Sequence, residues 1–273
     1  MTTNDVPHPA SEAGLQVLVG LVRAAAEKEL LPRFGLSGAR IKDDGSVVTA
    51  ADTGMQLRLA QGLHDSWPEF PLVGEEMNES DQRIALSAAG GAWCLDPLDG
   101  TTNFVNGLPF FAVSLALLQN GQPTIGLVYD PSRQECFTAV RGAGARLNGV
   151  PLPKAIDAPA LRRCVALVDF KRLSPRLAGR VGIDPPYSSQ RSLGACALDW
   201  CWLAAGRAQL YLHGGQKLWD YAAGSLILRE VDGVATTLEG APLTYESLGG
   251  SSAVAARTAH LHEAWQAWIN HNA

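Results

Sequence analysis

Asp96-Pro97-Leu98-Asp99-Gly100-Thr101-Thr102-Asn103-Phe104 follows the short apolar run 92–95, and the reading of this stretch decides what kind of molecule the chain forms. Four apolar residues running into two carboxylates three positions apart read as a strand that ends in a loop. Pro97 fixes φ and removes a backbone donor, so it stiffens the turn that spaces the two aspartates. Gly100, Thr101 and Thr102 then read as the start of a helix, where the first N–H groups have no intrahelical acceptor. The strand end therefore delivers carboxylates next to free backbone donors.

Towards the N-terminus the same device recurs. The run 70–73 leads into Gly74-Glu75-Glu76, and Val48-Thr49-Ala50-Ala51-Asp52 closes on another acid. Ser11 reads as an N-cap for a helix carrying Leu15, Leu18, Leu21 and Val22, which Pro32 and Gly35 stop. Lys42-Asp43-Asp44-Gly45-Ser46 before Val47-Val48-Thr49 suggests a mobile hairpin. A second helix is expected over 52–64, with Met55, Leu57, Leu59 and Leu63 offered to the core. Towards the C-terminus, runs 112–118, 124–129 and 136–140 are separated by the turn signals Asn120-Gly121 and Asp130-Pro131, a meander of antiparallel strands. After Pro153 the texture changes: strand 165–168, helix 195–205, strand 209–212, helix 219–231 and a last amphipathic helix near 261–269. Asp220 falls at the start of one of these helices. The mixture predicts an α+β or layered α/β fold with antiparallel-rich sheets. The switch of texture places a boundary near residue 150, with 1–150 an N-terminal α+β half and 151–273 a C-terminal half that completes the site.

The chain has 273 residues with 47% hydrophobic and 18% charged, a globular balance that excludes a disordered or fibrous protein. Its net charge is −5 and no basic run occurs, so binding to nucleic acid by charge is not expected. Five cysteines (Cys94, Cys136, Cys164, Cys196, Cys201) contain no CxxC pair and read as reduced thiols. The first dozen residues hold Asp5 and Glu12 but no Lys or Arg, and the run 17–22 contains Gly20 and ends at Arg23. That predicts neither a signal peptide nor a span of roughly 20 apolar residues, and hence a soluble cytoplasmic protein.

Should Glu75, Asp96, Asp99 and Asp220 converge, two carboxylates about 4 Å apart at an effective dielectric of about 20 repel by about 4 kcal/mol. Such a cluster holds protons or cations. No His or Cys lies in the strand-end segments after 73 and 95, so the donors are oxygen and suit Mg²⁺ rather than Zn²⁺. Cations on one side and helix N–H groups on the other make a receptor for phosphate, which points to phosphoester hydrolysis. Each acid alone has a plainer reading. Asp-Pro opens turns, Asp caps helices, and Glu75-Glu76 alone is a solvated pair.

The nine residues from Asp96 to Phe104 resemble the first signature of the inositol monophosphatase family. Leu218-Trp219-Asp220-Tyr221-Ala222-Ala223-Gly224 is similar to its second. Gly74-Glu75-Glu76, the block from Val48 to Asp52, Arg191-Ser192-Leu193-Gly194-Ala195 and Ala204-Ala205-Gly206-Arg207 also resemble family segments, so the likeness covers roughly 40–235. It implies a layered αβαβα sandwich and a homodimeric, Mg²⁺-dependent, Li⁺-sensitive phosphomonoesterase. By the same resemblance Glu75, Asp96 and the Leu98 carbonyl hold one Mg²⁺. Asp96, Asp99 and Asp220 hold a second, and a weaker third lies near Glu75. Thr101 helps Glu75 position the attacking water, Asp52 orients the Thr101 hydroxyl, and the N–H groups of Gly100 and Thr101 bind phosphate oxygens. Gly194, Ala195, Cys196 and His213, with Asp99, fall on the substrate side.

The chain departs from the pattern at His213, where inositol-specific members carry a glutamate that accepts hydrogen bonds from ring hydroxyls. A neutral imidazole offers one donor and one acceptor, so either the substrate pocket has changed or His213 points to solvent. Cys196 reads as an apolar packing residue whose backbone meets the substrate. His260 and His262, with His271 beyond, read as a solvated helix face, and Trp265 and Trp268 as core or dimer packing. Lys42 and Asp43 read either as a lid over the third metal or as an exposed turn. The expected substrate is a small polyol or sugar phosphate such as inositol 1-phosphate. Histidinol phosphate, 3′,5′-bisphosphonucleosides and fructose 1,6-bisphosphate are the rivals. A regulatory partner-binding role in transcription antitermination, known among bacterial members, is the alternative from another class.

Overall fold

The structure, a computed structural model, describes residues 6–36, 38–41, 47–155 and 159–273. Lys42 and Asp43 lie outside the described residues. In chain order the elements are α1 (Glu12–Glu29), the paired strands β1 (Ala39–Ile41) and β2 (Val47–Thr49), α2 (Ala50–Ser66), β3 (Leu72–Gly74), α3 (Glu79–Leu86) and β4 (Ala92–Asp99). After these come α4 (Thr101–Val105), β5 (Ala112–Gln119), β6 (Gln122–Asp130), β7 (Glu135–Val140), β8 (Ala145–Leu147) and β9 (Val150–Pro151). The remainder is β10 (Val165–Asp169), α5 (Pro175–Ile183), β11 (Ser189–Arg191), α6 (Cys196–Ala204), β12 (Leu210–Gln216), α7 (Leu218–Arg229), β13 (Val234–Thr236), β14 (Ser251–Ala256) and α8 (Ala259–Asn272).

Strands β3 to β9 form one seven-stranded sheet in sequence order, with β3 parallel to β4 and every later pair antiparallel. A five-stranded sheet has the order β11-β10-β12-β14-β13, parallel at β10 and antiparallel around β14. Strand parity sorts the side chains into layers. On β4, Trp93 and Leu95 pack with Leu18, Val22, Met55 and Leu59 of α1 and α2, while Cys94 faces the helices α6 and α7. On β12, Tyr211 joins that middle layer, whereas Leu210 and Leu212 pack with Leu177 of α5 and Trp265 of α8. The result is the expected αβαβα sandwich, with α6 and α7 between the two sheets. Among the described residues no helix is long and apolar enough to cross a membrane.

Local chemistry accounts for the helix starts. The Ser11 hydroxyl accepts from the Gly14 N–H at 3.1 Å and caps α1 as its sequence predicts. Thr49 and Asp52 form a capping box at α2. The α6–α7 crossing is close because Gly224 has no side chain: a Cβ there would stand 2.4 Å from the Trp200 Cβ.

Two expectations are corrected. Leu57 is 67% exposed, because Met55, Leu59 and Leu63 at spacing four already define the buried stripe of α2. His262 is buried rather than solvated, since 262, 265 and 269 share the inward stripe of α8, and its Nε2 lies 3.0 Å from the Thr236 hydroxyl. His260 and His271 are exposed as expected, and Trp265 is core, stacked on Trp268 at 5.4 Å.

Candidate active site

Three positions apart on a regular strand, Asp96 and Asp99 would face opposite sides of the sheet. They do not, because β4 carries a bulge. Asp96 pairs with Ser114 and Asp99 with Ala112, so three steps on β4 oppose two on β5. The extra residue re-phases the strand and turns both carboxylates into one cavity of about 870 Å³. Gly100 then reverses the chain at φ +83, a left-handed conformation, and a Cβ there would meet the Ala195 Cβ and the Phe110 carbonyl at 3.0 Å. From Gly100 the chain enters the short helix α4.

Glu75 and Asp220 are brought to the same cavity from neighbouring elements. The Glu75 N–H donates to the Leu95 carbonyl at 3.1 Å, tying the ends of β3 and β4 together. Asp220 sits in the first turn of α7, with Oδ2 accepting from the Lys217 N–H at 2.7 Å. Ser114, which the sequence reading passed over, faces Asp96 in register and donates its hydroxyl to the Trp219 carbonyl at 2.9 Å. It thus fixes the start of α7 against β5, at the position paired with Asp96 of β4. Asp52 uses Oδ2 for its capping box and keeps Oδ1 3.3 Å from the Thr101 hydroxyl, which also lies 2.9 Å from the Leu98 carbonyl.

Burial and like charge dominate the electrostatics. Burial pushes the Asp96 carboxyl well above its ordinary range, and Glu75, Asp99 and Asp220 push it further. Asp99 is raised to about 7 by burial, against the pull of the Ala197 and Cys196 N–H groups that donate to its Oδ2 and Oδ1 at 2.7 and 3.1 Å. Asp220 is raised in the same way, by burial and then by Asp99. Among the described residues no group of three or more His, Cys, Asp and Glu side chains is gathered into a metal-holding cluster. The chemistry of the donor set nonetheless fits a hard divalent cation: buried carboxylates and a backbone carbonyl, held together against mutual repulsion that such a cation relieves.

The opposite wall comes from the second sheet. Asp169, the last residue of β10, and His213, inside β12 where its register with β14 breaks, are register partners, and Gly194, Cys196, Lys171, Arg172 and Lys217 complete that side. Asn103 staples the two walls by donating its side-chain N–H groups to the Leu193 carbonyl at 2.7 Å and the Phe110 carbonyl at 2.8 Å. His213 is 4% exposed and lines the cavity, which overturns its solvent-facing reading. Burial lowers its pKa to about 4. Cys196 is half-buried in the cavity wall with Sγ 3.3 Å from His213 Nε2, so it is not the apolar core residue expected. Its thiol is pushed up by burial and by surrounding carboxylates, which makes it a poor nucleophile. Ala195 caps α6 with its Cβ against Gly100, outside the cavity lining. Asp169, Lys171 and Arg172 were missed in the sequence. The signal that could have found them is the one that found Asp96: an acid directly after a short apolar strand.

A family profile described as the inositol monophosphatase family matches residues 11–272. Among curated proteins, the Nus factor SuhB of Pasteurella multocida is 37% identical over 205 residues, covering 73% of this chain and 75% of that one. Among solved structures, an IMPase of Thermotoga maritima superposes with a TM-score of 0.82 at 26% identity, covering 94% of this chain and 96% of that one. Staphylococcal IMPase-II, solved with inositol monophosphate bound, gives 0.77 at 28% identity, covering 92% of each chain.

Proposed function

The chain belongs to the inositol monophosphatase family, and from that premise we propose that it is a Mg²⁺-dependent phosphomonoesterase acting on a small polyol or sugar phosphate. The observation that carries this reading is the bulge in β4, which turns Asp96 and Asp99 into one cavity with Glu75 and Asp220 beside the first turn of α4. Glu75, Asp96, Asp99, Asp220 and the Leu98 carbonyl would hold two to three ions. Mg²⁺ bound there neutralises charge on the phosphate and acidifies water.

The chain's own groups do the rest. The Thr101 hydroxyl donates to Asp52 Oδ1 or the Leu98 carbonyl, which leaves its oxygen free to accept a hydrogen bond from the attacking water; if the water's proton passes to Thr101, the hydroxyl's own proton goes to the Asp52 carboxylate. Glu75 is the second acceptor for that water. The Gly100 and Thr101 N–H groups at the head of α4 receive phosphate oxygens. Inositol 1-phosphate is the first substrate to test, since a relative with 28% identity was solved with inositol monophosphate bound. The experiment is phosphate release with and without Mg²⁺ on inositol 1-phosphate, histidinol phosphate, a 3′,5′-bisphosphonucleoside and fructose 1,6-bisphosphate. Mg²⁺-dependent turnover supports the reading, and turnover on none of the four sinks it.

A second reading rests on the relative named a Nus factor. By this reading the chain also binds a macromolecular partner in transcription antitermination, with or without turnover. Retention of four mutually repelling carboxylates favours the enzyme, because a binding scaffold gains nothing from them. Partner binding that survives in a variant without activity would establish the second role.

A further inference from the structure

Glu75 stands on no regular element. Strand β3 ends at Gly74 and α3 begins at Glu79, so the carboxylate rides on the link 75–78. That link opens with a turn, in which the Met77 N–H donates to the Gly74 carbonyl at 3.2 Å. Two glutamines then grip the turn from outside. Gln82 of α3 is 5% exposed and donates through Nε2 to the Gly74 carbonyl at 2.8 Å and, more weakly, to the Glu75 carbonyl at 3.4 Å. Gln56 of α2 accepts the Glu76 N–H through Oε1 at 2.9 Å. Together with the bond from the Glu75 N–H to the Leu95 carbonyl, the backbone on both sides of Glu75 is tied to α2, α3 and β4.

Helix α3 has little else to do. Gln82 and Ala85 are its buried residues, and Ala85 with Leu86 packs on Val73 and Ala92, the strand residues next to the turn. A buried amide is costly unless its hydrogen bonds are made, and the two carbonyls flanking Glu75 are what compensate Gln82. We infer that Gln82 and Gln56 are positioning residues for Glu75, and that they set how tightly the carboxylate cluster holds Mg²⁺. They act through the Glu75 backbone. A carboxylate kept within about 0.5 Å of its working position needs no ordering when the cation arrives, whereas a loosened turn must be ordered at the expense of affinity. The inference rests on the metal-dependent reading of the cavity and extends it to residues outside the ligand set.

Calorimetric titration of Mg²⁺ alone into the EDTA-stripped protein tests it, with Gln82→Met and Gln56→Met each made in the parent and in Glu75→Gln. Methionine keeps the length of glutamine and removes the amide donor and acceptor. Each substitution should raise the Kd for Mg²⁺ about tenfold in the parent, the usual effect of losing a group that orients a metal ligand. The rate at saturating Mg²⁺ should recover to the parent value. In Glu75→Gln, where Asp96, Asp99 and Asp220 still bind, the same substitutions should move the Kd less than about twofold, because the residue they act through is gone. A merely structural role would instead lower the Tm of the metal-free protein alike in both backgrounds and leave the Kd unmoved. An unchanged Kd, or an equal shift with and without Glu75, overturns the inference and leaves the metal site standing. A parent that binds no Mg²⁺ overturns both. Should Gln82→Met fail to fold, Gln56→Met, at a half-buried position on α2, carries the same test.

Discussion

Asp96 is buried and surrounded by three other acids, so it is the residue whose charge has the most to lose. Asp96→Asn should lower kcat/KM about a thousandfold or more, because several kcal/mol of charge stabilisation depend on it. The metal-free variant should melt no lower than the parent, since one source of repulsion has gone. Initial rates and a thermal melt check both, and a near-normal rate would end the proposed metal assignment. His213→Glu places a carboxylate acceptor on the far wall and should move selectivity about tenfold towards inositol 1-phosphate over the other phosphates of the panel. An unchanged ratio would mean that the side chain does not reach the substrate. At this scale the acids were legible because they follow one another along the chain next to obvious strand ends. The role of Ser114 was not. A serine in an apolar strand carries no signal of its own, and its bond to the Trp219 carbonyl spans 105 residues of sequence.

Among the elements, α7 and β4 have to be held in fixed relation for Asp220 and Asp96 to share a cavity, and Ser114 is the link. Ser114→Ala should cost about 1 kcal/mol of stability, the usual worth of one hydrogen bond, and should raise the Mg²⁺ concentration needed for half-maximal rate severalfold. Urea denaturation and a Mg²⁺ titration of the rate separate the two effects, and an unchanged Mg²⁺ requirement would show that α7 is held elsewhere. The meander β5–β7 was readable from alternating runs and turn pairs. Strand β14 was not, although it sits inside the second sheet between β12 and β13. Ser251-Ser252-Ala253-Val254-Ala255-Ala256 is poor in β-formers, and only its neighbours on both sides make it a strand. Helix α5 was missed because only Leu177 and Val181 of its nine residues are buried.

For the molecule as a whole, the carboxylate cluster ties stability to pH and to cations. Asp99 titrates near 7 in the folded state against 3.8 as its ordinary value, and Asp96 and Asp220 shift the same way. The folded, metal-free protein therefore holds these protons more tightly than the unfolded chain does. The Asp99 contribution is complete below about pH 3.8 and is lost as pH rises through about 7, and those of Asp96 and Asp220 are lost in the same direction as pH rises. His213 works in the opposite sense: its contribution is present above 6.5 and is lost as pH falls towards about 4. The increment in Tm produced by Mg²⁺ over EDTA isolates the carboxylates. It should be close to zero near about pH 5 and reach about 5 °C or more near about pH 8, where the acids are ionised and ready to bind. An increment independent of pH would show that Mg²⁺ binds elsewhere. The cavity also has a division of labour. Glu75, Asp96, Asp99 and the head of α4 come from the larger sheet and its loops, whereas Asp169, His213, Lys171 and Arg172 come from the smaller one. On the proposed assignment, mutations at the end of β10 and at His213 within β12 would redirect what the molecule accepts while the bond-breaking apparatus stays untouched, so that new substrate preferences would be reachable by single amino-acid steps.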